Sequence, residues 1–246
     1  MYALYLKEIR SFLSSLSGYL AIGVFITLIG LFMWVIPGES GGSNVLDNGF
    51  ASIDPLFFIA PWVYLFLIPA ITMRSFSEEK KSGTIELLLT RPISDVKIVL
   101  AKYFAACSLV FFSLLPTLIY YYSVHKLGAP KGNLDTGGMW GSYIGLLFLG
   151  AGFASVGILA SAISENQVIA FITALLLCFF TYLGFDFISQ AGIFGKYDAF
   201  IKSLGINAHY LSMSRGVLDT RDILYFISLI AVFNLLTRLV LQSRKW

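Results

Sequence analysis

His125, His209, Cys107, Cys178 and Asp186 are the side chains whose types could carry covalent or metal chemistry, and none has the partner that chemistry needs. Zinc hydrolysis on a helix takes two histidines one turn apart beside a glutamate, whereas the two histidines here stand alone. Each is expected to be solvated or locally hydrogen-bonded. Wrapping a phosphate takes a Gly-x-x-x-x-Gly-Lys-Ser/Thr loop, and the chain has none. Both cysteines lie inside apolar runs, where a thiol behaves as a small hydrophobe rather than as half of a disulfide or metal pair. Asp186 is the one acid well inside a span-like segment. A carboxylate there is a functional suspect, but one without a partner makes a poor catalyst. The chain is therefore read as having no catalytic residue, no metal site and no bound cofactor.

The elements that must position these residues follow from composition. Of 246 residues, 57% are hydrophobic and only 13% charged, about half the charged share of a soluble domain. Too few polar groups remain to cover a soluble surface, so lipid must cover it. A net charge of +3 without basic clusters among stacking aromatics argues against a nucleic-acid binder. Six runs reach the roughly twenty apolar residues that cross a bilayer: about 18–36, 56–73, 98–122, 140–163, 168–188 and 222–240. The expected architecture is all-α, a single transmembrane domain over 1–246. No small-residue cleavage site closes the first run, so a retained span is expected there. Trp34, Trp62 and Trp140 fall near expected span ends, and the polar stretches 37–54 and 123–138 read as loops.

Residues 2–16 differ from the spans. Tyr2, Leu6, Ile9 and Leu13, flanked by Tyr5, Phe12 and Leu16, form an apolar stripe, with Lys7, Arg10, Ser11 and Ser14 elsewhere. That pattern predicts an amphipathic helix in the membrane interface. In the fourth span Gly150, Ala154, Gly157 and Ser161 place small residues on one face, where another helix of this chain or of a second subunit can approach closely. Pro61, Pro69 and Pro116 remove backbone donors inside the second and third spans and should kink or loosen them.

With six spans, both termini share one side. That side holds Lys7, Arg10, Arg74, Lys80, Lys81, Arg91, Lys97, Lys102, Arg238, Arg244 and Lys245, eleven basic residues against six on the other. The excess predicts cytoplasmic termini and a cytoplasmic loop between spans two and three. Residues 189–221 then lie outside. Their apolar positions, Phe194, Phe200, Ile201 and Leu204, predict short interfacial helices.

The cytoplasmic loop 74–97 opens with Glu78, Glu79, Lys80 and Lys81, charges that are ordinarily solvated. Gly83 should break the helix, 84–90 can form two more turns, and Pro92 should stop them. Those turns carry Ile85, Leu87, Leu88 and Leu89 on the water side, where headgroups or a partner's groove must cover them. Ser94 with Asp95 reads as the N-cap of span three.

The run EEKKSGTIELLLTRPIS followed by DVKIVLAKYFA resembles the permeases of ABC-2 type transporters, in which a glutamate and Gly-Thr precede a leucine-rich helix and a proline turn. The resemblance continues at SAISENQVIAF, at SRGVLDTRDILYF and at LQSRKW, in order along nearly the whole chain. Within that family the sequence looks most like the gliding-motility branch, in a pattern shared with nitrous-oxide-reductase maturation permeases. The resemblance implies six spans per subunit, dimerisation, a bacterial inner-membrane location and a coupling helix after span two. It implies a GldA-like cytoplasmic ATPase that holds ATP and Mg, with a second copy or a GldG-like membrane subunit as companion. By position it assigns ATPase contact to Glu78, Glu79, Gly83, Thr84, Glu86, Leu87 and Leu88. The alternative is a scaffold that passes ATPase-driven motion to envelope proteins and transports nothing.

Overall fold

Lipid offers no hydrogen bonds to a backbone, so a chain this apolar must satisfy its N–H and C=O groups internally, as helices. The computed structural model describes residues 1–37, 44–47, 51–86, 93–129, 134–192 and 194–243, and no strand occurs among them. Six helical stretches are long and apolar enough to cross a membrane: Gly18–Val35, Asp54–Lys81, Asp95–Leu127, Thr136–Ile163, Gln167–Gln190 and Thr220–Gln242.

In chain order the helices are α1 (Tyr2–Leu13), α2 (Leu16–Gly30, continued by a π turn Leu31–Val35), α3 (Asp54–Thr72) and α4 (Arg74–Lys81). There follow α5 (Asp95–Leu114), α6 (Leu118–Leu127), α7 (Thr136–Ile163) and α8 (Gln167–Phe179, continued by a π turn Phe180–Gly184). The last are α9 (Phe185–Gln190), α10 (Asp198–Ser203), α11 (Ile206–Met213) and α12 (Thr220–Gln242). Gln242 Nε2 reaches Asp95 Oδ2 at 3.5 Å, and α1 packs on α5. Both ends of the chain thus approach one end of the bundle, called the near end; α9 to α11 cover the far end.

The fourth span is the axis. α7 packs against α3, α5, α8, α11 and α12, and Leu146, Leu149, Phe153, Val156 and Ile158 are fully buried in it. The first, fifth and sixth spans are peripheral and leave Val24, Ile172, Leu176, Leu224 and Leu235 exposed, the surface expected to meet lipid or another subunit. The small face of α7 turns inward. A Cβ on Gly150 would press 2.6 Å from Val110, and one on Gly157 would collide with Thr72 Oγ1. These residues let α3 and α5 lie against the α7 backbone within one chain.

The prolines act differently from one another. α3 runs unbroken through Pro61 and Pro69. Pro61 has no N–H to give the Phe57 carbonyl four residues back, and the Tyr210 hydroxyl of α11 donates to that carbonyl instead, at 2.7 Å. Pro116 does interrupt its helix: α5 gives way to a 3-10 turn, Leu115–Thr117, before α6 resumes. There Thr117 Oγ1 lies 3.1 Å from Tyr143 Oη and so tethers the kink to α7.

The connection after span two opens as a helix, Arg74–Lys81, ending just before Gly83, and its first turn finds a hydrogen-bond partner on α7. Several expectations need correction. Trp62 lies two turns inside α3 rather than at a span end, edge-on to Tyr182 at 6.4 Å. The amphipathic start is helical, but Leu4 is its buried residue and Tyr2 is 73% exposed. The face through Leu4, Tyr5, Glu8 and Phe12 meets the bundle, because polar contacts on α5 fix its rotation. Ser94 stands at the start of α5 through its carbonyl, which accepts from Lys97 and Ile98 N–H, and its side chain makes no cap.

Candidate functional site

A helix that restarts after a break has N–H groups with no carbonyl four residues back. α4 restarts after Met73, and a single hydroxyl meets this need. Ser161 Oγ accepts from Phe76 N at 2.9 Å and Ser77 N at 3.1 Å, and donates to Met73 O at 3.0 Å. A serine hydroxyl has one hydrogen and two lone pairs, so all of its capacity is used at this joint. Size put Ser161 on the small face of α7; its oxygen stitches α3 to α4.

The charges of α4 divide by helical period. Phe76, Ser77 and Lys80 lie on the buried face, while Glu78 and Lys81 are exposed. Lys80 Nζ donates to Ala162 O, one of the last four carbonyls of α7 that lack intrahelical donors. A cation there also meets the negative end of the helix dipole. The expectation of four solvated charges is thus corrected for Lys80, which is 9% exposed, and for Glu79.

Glu79 faces a buried lysine. Lys102 of α5, with its side chain 1% exposed, sits 3.1 Å from Glu79 Oε1 and 3.0 Å from Glu8 Oε1 of α1. It also donates to Ser75 O at 2.6 Å, and the ammonium lies 5.0 Å from the Phe76 ring centre. An ammonium has three donors, and three oxygens of α1 and α4 surround this one. Lys7 adds a fourth charge, 3.4 Å from Glu79 and 3.8 Å from Glu8, so the cluster is neutral. Tyr5 Oη and Ser108 Oγ, 2.8 Å apart, hold α1 to α5 further along. Burying an ion is costly unless it is both paired and hydrogen-bonded. Two carboxylates and a carbonyl meet both conditions here.

Beyond the clamp the chain turns outward. Ser82 N–H bonds Glu78 O at 3.0 Å and Gly83 N–H bonds Lys80 O at 3.1 Å. Gly83 takes φ +70°, the left-handed helix end that favours glycine. Thr84 is exposed, Ile85 and Glu86 begin a helical turn, and Ile85 packs on the core while Glu86 is exposed. Leu87, Leu88 and Leu89, and the expected stop at Pro92, lie outside the described residues. Glu78, Gly83, Thr84 and Glu86 are each exposed, whereas Glu79 is part of the clamp with Lys102. Spacing flagged the loop but gave no sign of Glu8 and Lys102, which stand 94 positions apart.

At the far end the chemical suspects have structural partners. Asp186, 6% exposed, accepts from Asn207 Nδ2 at 2.6 Å. His209 lies 2.7 Å from Asp222 Oδ1 and 2.9 Å from Ser203 O, stacked 3.9 Å from the Tyr225 ring. These contacts tie α11 to α9, α10 and α12. Cys178 is buried and Cys107 half-buried, both as free thiols. The arrangement at the near end joins α1, α4, α5 and α7 through buried polar contacts.

No curated protein matches the chain. A family described as ABC-2 family transporter protein matches residues 2–245, nearly the whole sequence. With six apolar helices, the fourth buried among the others, the chain belongs to the ABC-2 transporter family as a multi-pass membrane protein.

Proposed function

We propose that this chain is the permease subunit of an ATP-driven transporter, with its near end in the cytoplasm and a separate ATPase subunit driving it through the segment after α4. The observation that carries this reading is the double clamp on α4. Ser161 and Lys80 fix it to α7, and Lys102 fixes it to α5 and α1. A force applied beyond Gly83 then moves packed helices rather than bending a loop. The eleven-to-six excess of basic residues supports the orientation. In this reading Glu78, Thr84 and Glu86 meet basic groups of the ATPase, Leu87 and Leu88 fill its groove, Gly83 permits the turn, and Glu79 relays motion to Lys102. ATP and Mg are held by the partner. Resemblance to GldF supports the narrower proposal of a gliding-motility system in a bacterial inner membrane, with GldA-like and GldG-like companions.

The test extracts the tagged full-length chain from native membranes in mild detergent, beside a Leu87→Arg variant, and identifies stoichiometric companions by mass spectrometry. A P-loop ATPase should accompany the native chain and be lost from the variant, with membrane insertion unchanged. Intact chain with no ATPase in either sample would overturn the reading. An ATPase present but insensitive to any translocated compound would favour the force-transmitting scaffold.

A further inference from the structure

The far end holds a cavity of about 870 Å³, open on one side, between the ends of α3, α7 and α11 and the π turn after α8. This lies within the roughly 300–1,000 Å³ typical of sites that bury a small ligand. Its apolar wall is Phe57, Phe58, Trp62, Tyr182 and Leu183, and its polar rim includes Asp54, Asp135, Ser142, Asn207 and Arg215.

The walls are fixed by specific bonds. Tyr210 holds Phe57 through its carbonyl, Asn207 is held by Asp186, and Trp62 meets Tyr182 edge-on. Arg215 rides on a built turn. Gly216 adopts φ +81°, and a Cβ on it would strike Gly138, while one on Gly141 would strike Gly216 O. Two glycines of α7 thus admit the 214–216 turn onto the helix backbone, and Ser142 Oγ lies 2.9 Å from Ser214 O.

The charges at the rim are of two kinds. Asp135 is occupied as the N-cap of α7, accepting from Gly138 N–H at 2.9 Å. Arg215 is exposed, and neither it nor Asp54 takes part in any ion pair among the described residues. Arg215 and Asp54 therefore line the same cavity without an ionic partner among those residues. The apolar wall continues out of it through Phe58, 72% exposed, and Trp62, 45% exposed. Since Asp54 and Asp135 mark the ends of two membrane-crossing helices, the rim sits at headgroup depth and the wall at acyl-chain depth.

We infer that this cavity binds a phospholipid with a zwitterionic, primary-ammonium headgroup of the phosphoethanolamine class. Arg215 takes the phosphate, for which a planar guanidinium fork is suited. Asp54 takes the ammonium, which can donate hydrogen bonds where a quaternary choline cannot. The acyl chain lies along Trp62, Phe58 and Leu183. The site is independent of whether an ATPase drives the chain.

Native mass spectrometry of the full-length chain, released from micelles doped equally with phosphatidylethanolamine, phosphatidylcholine and phosphatidylglycerol, tests this. One phosphatidylethanolamine should be retained preferentially. Arg215→Ala should weaken that retention at least about tenfold, as expected for loss of a charge-assisted bidentate contact, and Arg215→Lys should restore part of it. Asp54→Asn should remove the preference for ethanolamine over glycerol headgroups while the phosphate contact persists. Trp62→Ala should weaken all three lipids alike. Equal retention of the three by the native chain, or retention unaffected by Arg215→Ala in a variant with unchanged elution and thermal midpoint, would overturn the assignment. Soluble glycerophosphoethanolamine binding as tightly as the lipid would overturn the role of the apolar wall.

Discussion

Lys102 sits where a lone cation would be expelled, and its retention depends on three acceptors contributed by α1 and α4. Removing the lysine leaves Glu8 and Glu79, whose side chains are only 21% and 13% exposed, with the exposed Lys7 as their remaining ionic partner. Lys102→Met should cost about 2 kcal/mol of stability, less than a fully dry pair because water reaches the carboxylates. Adding Glu79→Gln to that variant should recover part of the loss, the non-additivity expected of groups in contact. Thermal unfolding of the four proteins in detergent checks both statements; strictly additive losses would mean the two groups do not depend on each other. None of this was legible in the sequence. Lys102 counted there only as one of eleven basic residues, since a single chain gives no sign of which of its carboxylates approaches. Ser161 was visible through its size, because small residues recur at helical spacing, whereas the end of the apolar run at Met73 gave no sign of which group would meet the N–H donors freed there.

Elements were read more successfully than their junctions, for a physical reason. Six apolar runs have one fate in water and one in lipid, so their number follows from composition alone. Where a helix stops is decided by what its terminal N–H and C=O groups find, and for α4 those partners lie some eighty positions away on α7. The same dependence makes the small face of α7 a sensitive element. Gly157 leaves no room before Thr72, whose own hydroxyl donates to Ile68 O at 2.8 Å. Gly157→Val must push α3 away from α7 or force side chains from their rotamers, an overpacking cost of about 1–3 kcal/mol. The thermal midpoint should fall, while Gly23→Val on the peripheral α2, where a Cβ meets nothing within 4 Å, should leave it unchanged. Equal effects at both sites would show that close approach at Gly157 contributes nothing to stability.

For the whole molecule, the two ends of the bundle differ in the charge they display and in how they are built. The near end gathers basic residues, a neutral four-charge cluster and a turn opened by Gly83; the far end is roofed by short helices with Phe194, Phe200 and Leu204 exposed. Basic flanks resist translocation across the membrane during insertion, so the near end should stay cytoplasmic. This yields a direct test in intact cells with a membrane-impermeant maleimide. A cysteine at Ser82, exposed at the near end, should remain unlabelled until the membrane is opened, and one at Leu204, 42% exposed at the far end, should label at once. The parent chain sets the background, since Cys178 is buried and Cys107 half-buried within the spans. Labelling of Ser82→Cys in sealed cells would invert the molecule, move the Gly83 surface away from any source of ATP and remove the basis for a cytoplasmic motor. Protection of Ser82→Cys together with labelling of Leu204→Cys would leave the clamped α4 facing the compartment in which ATP is hydrolysed.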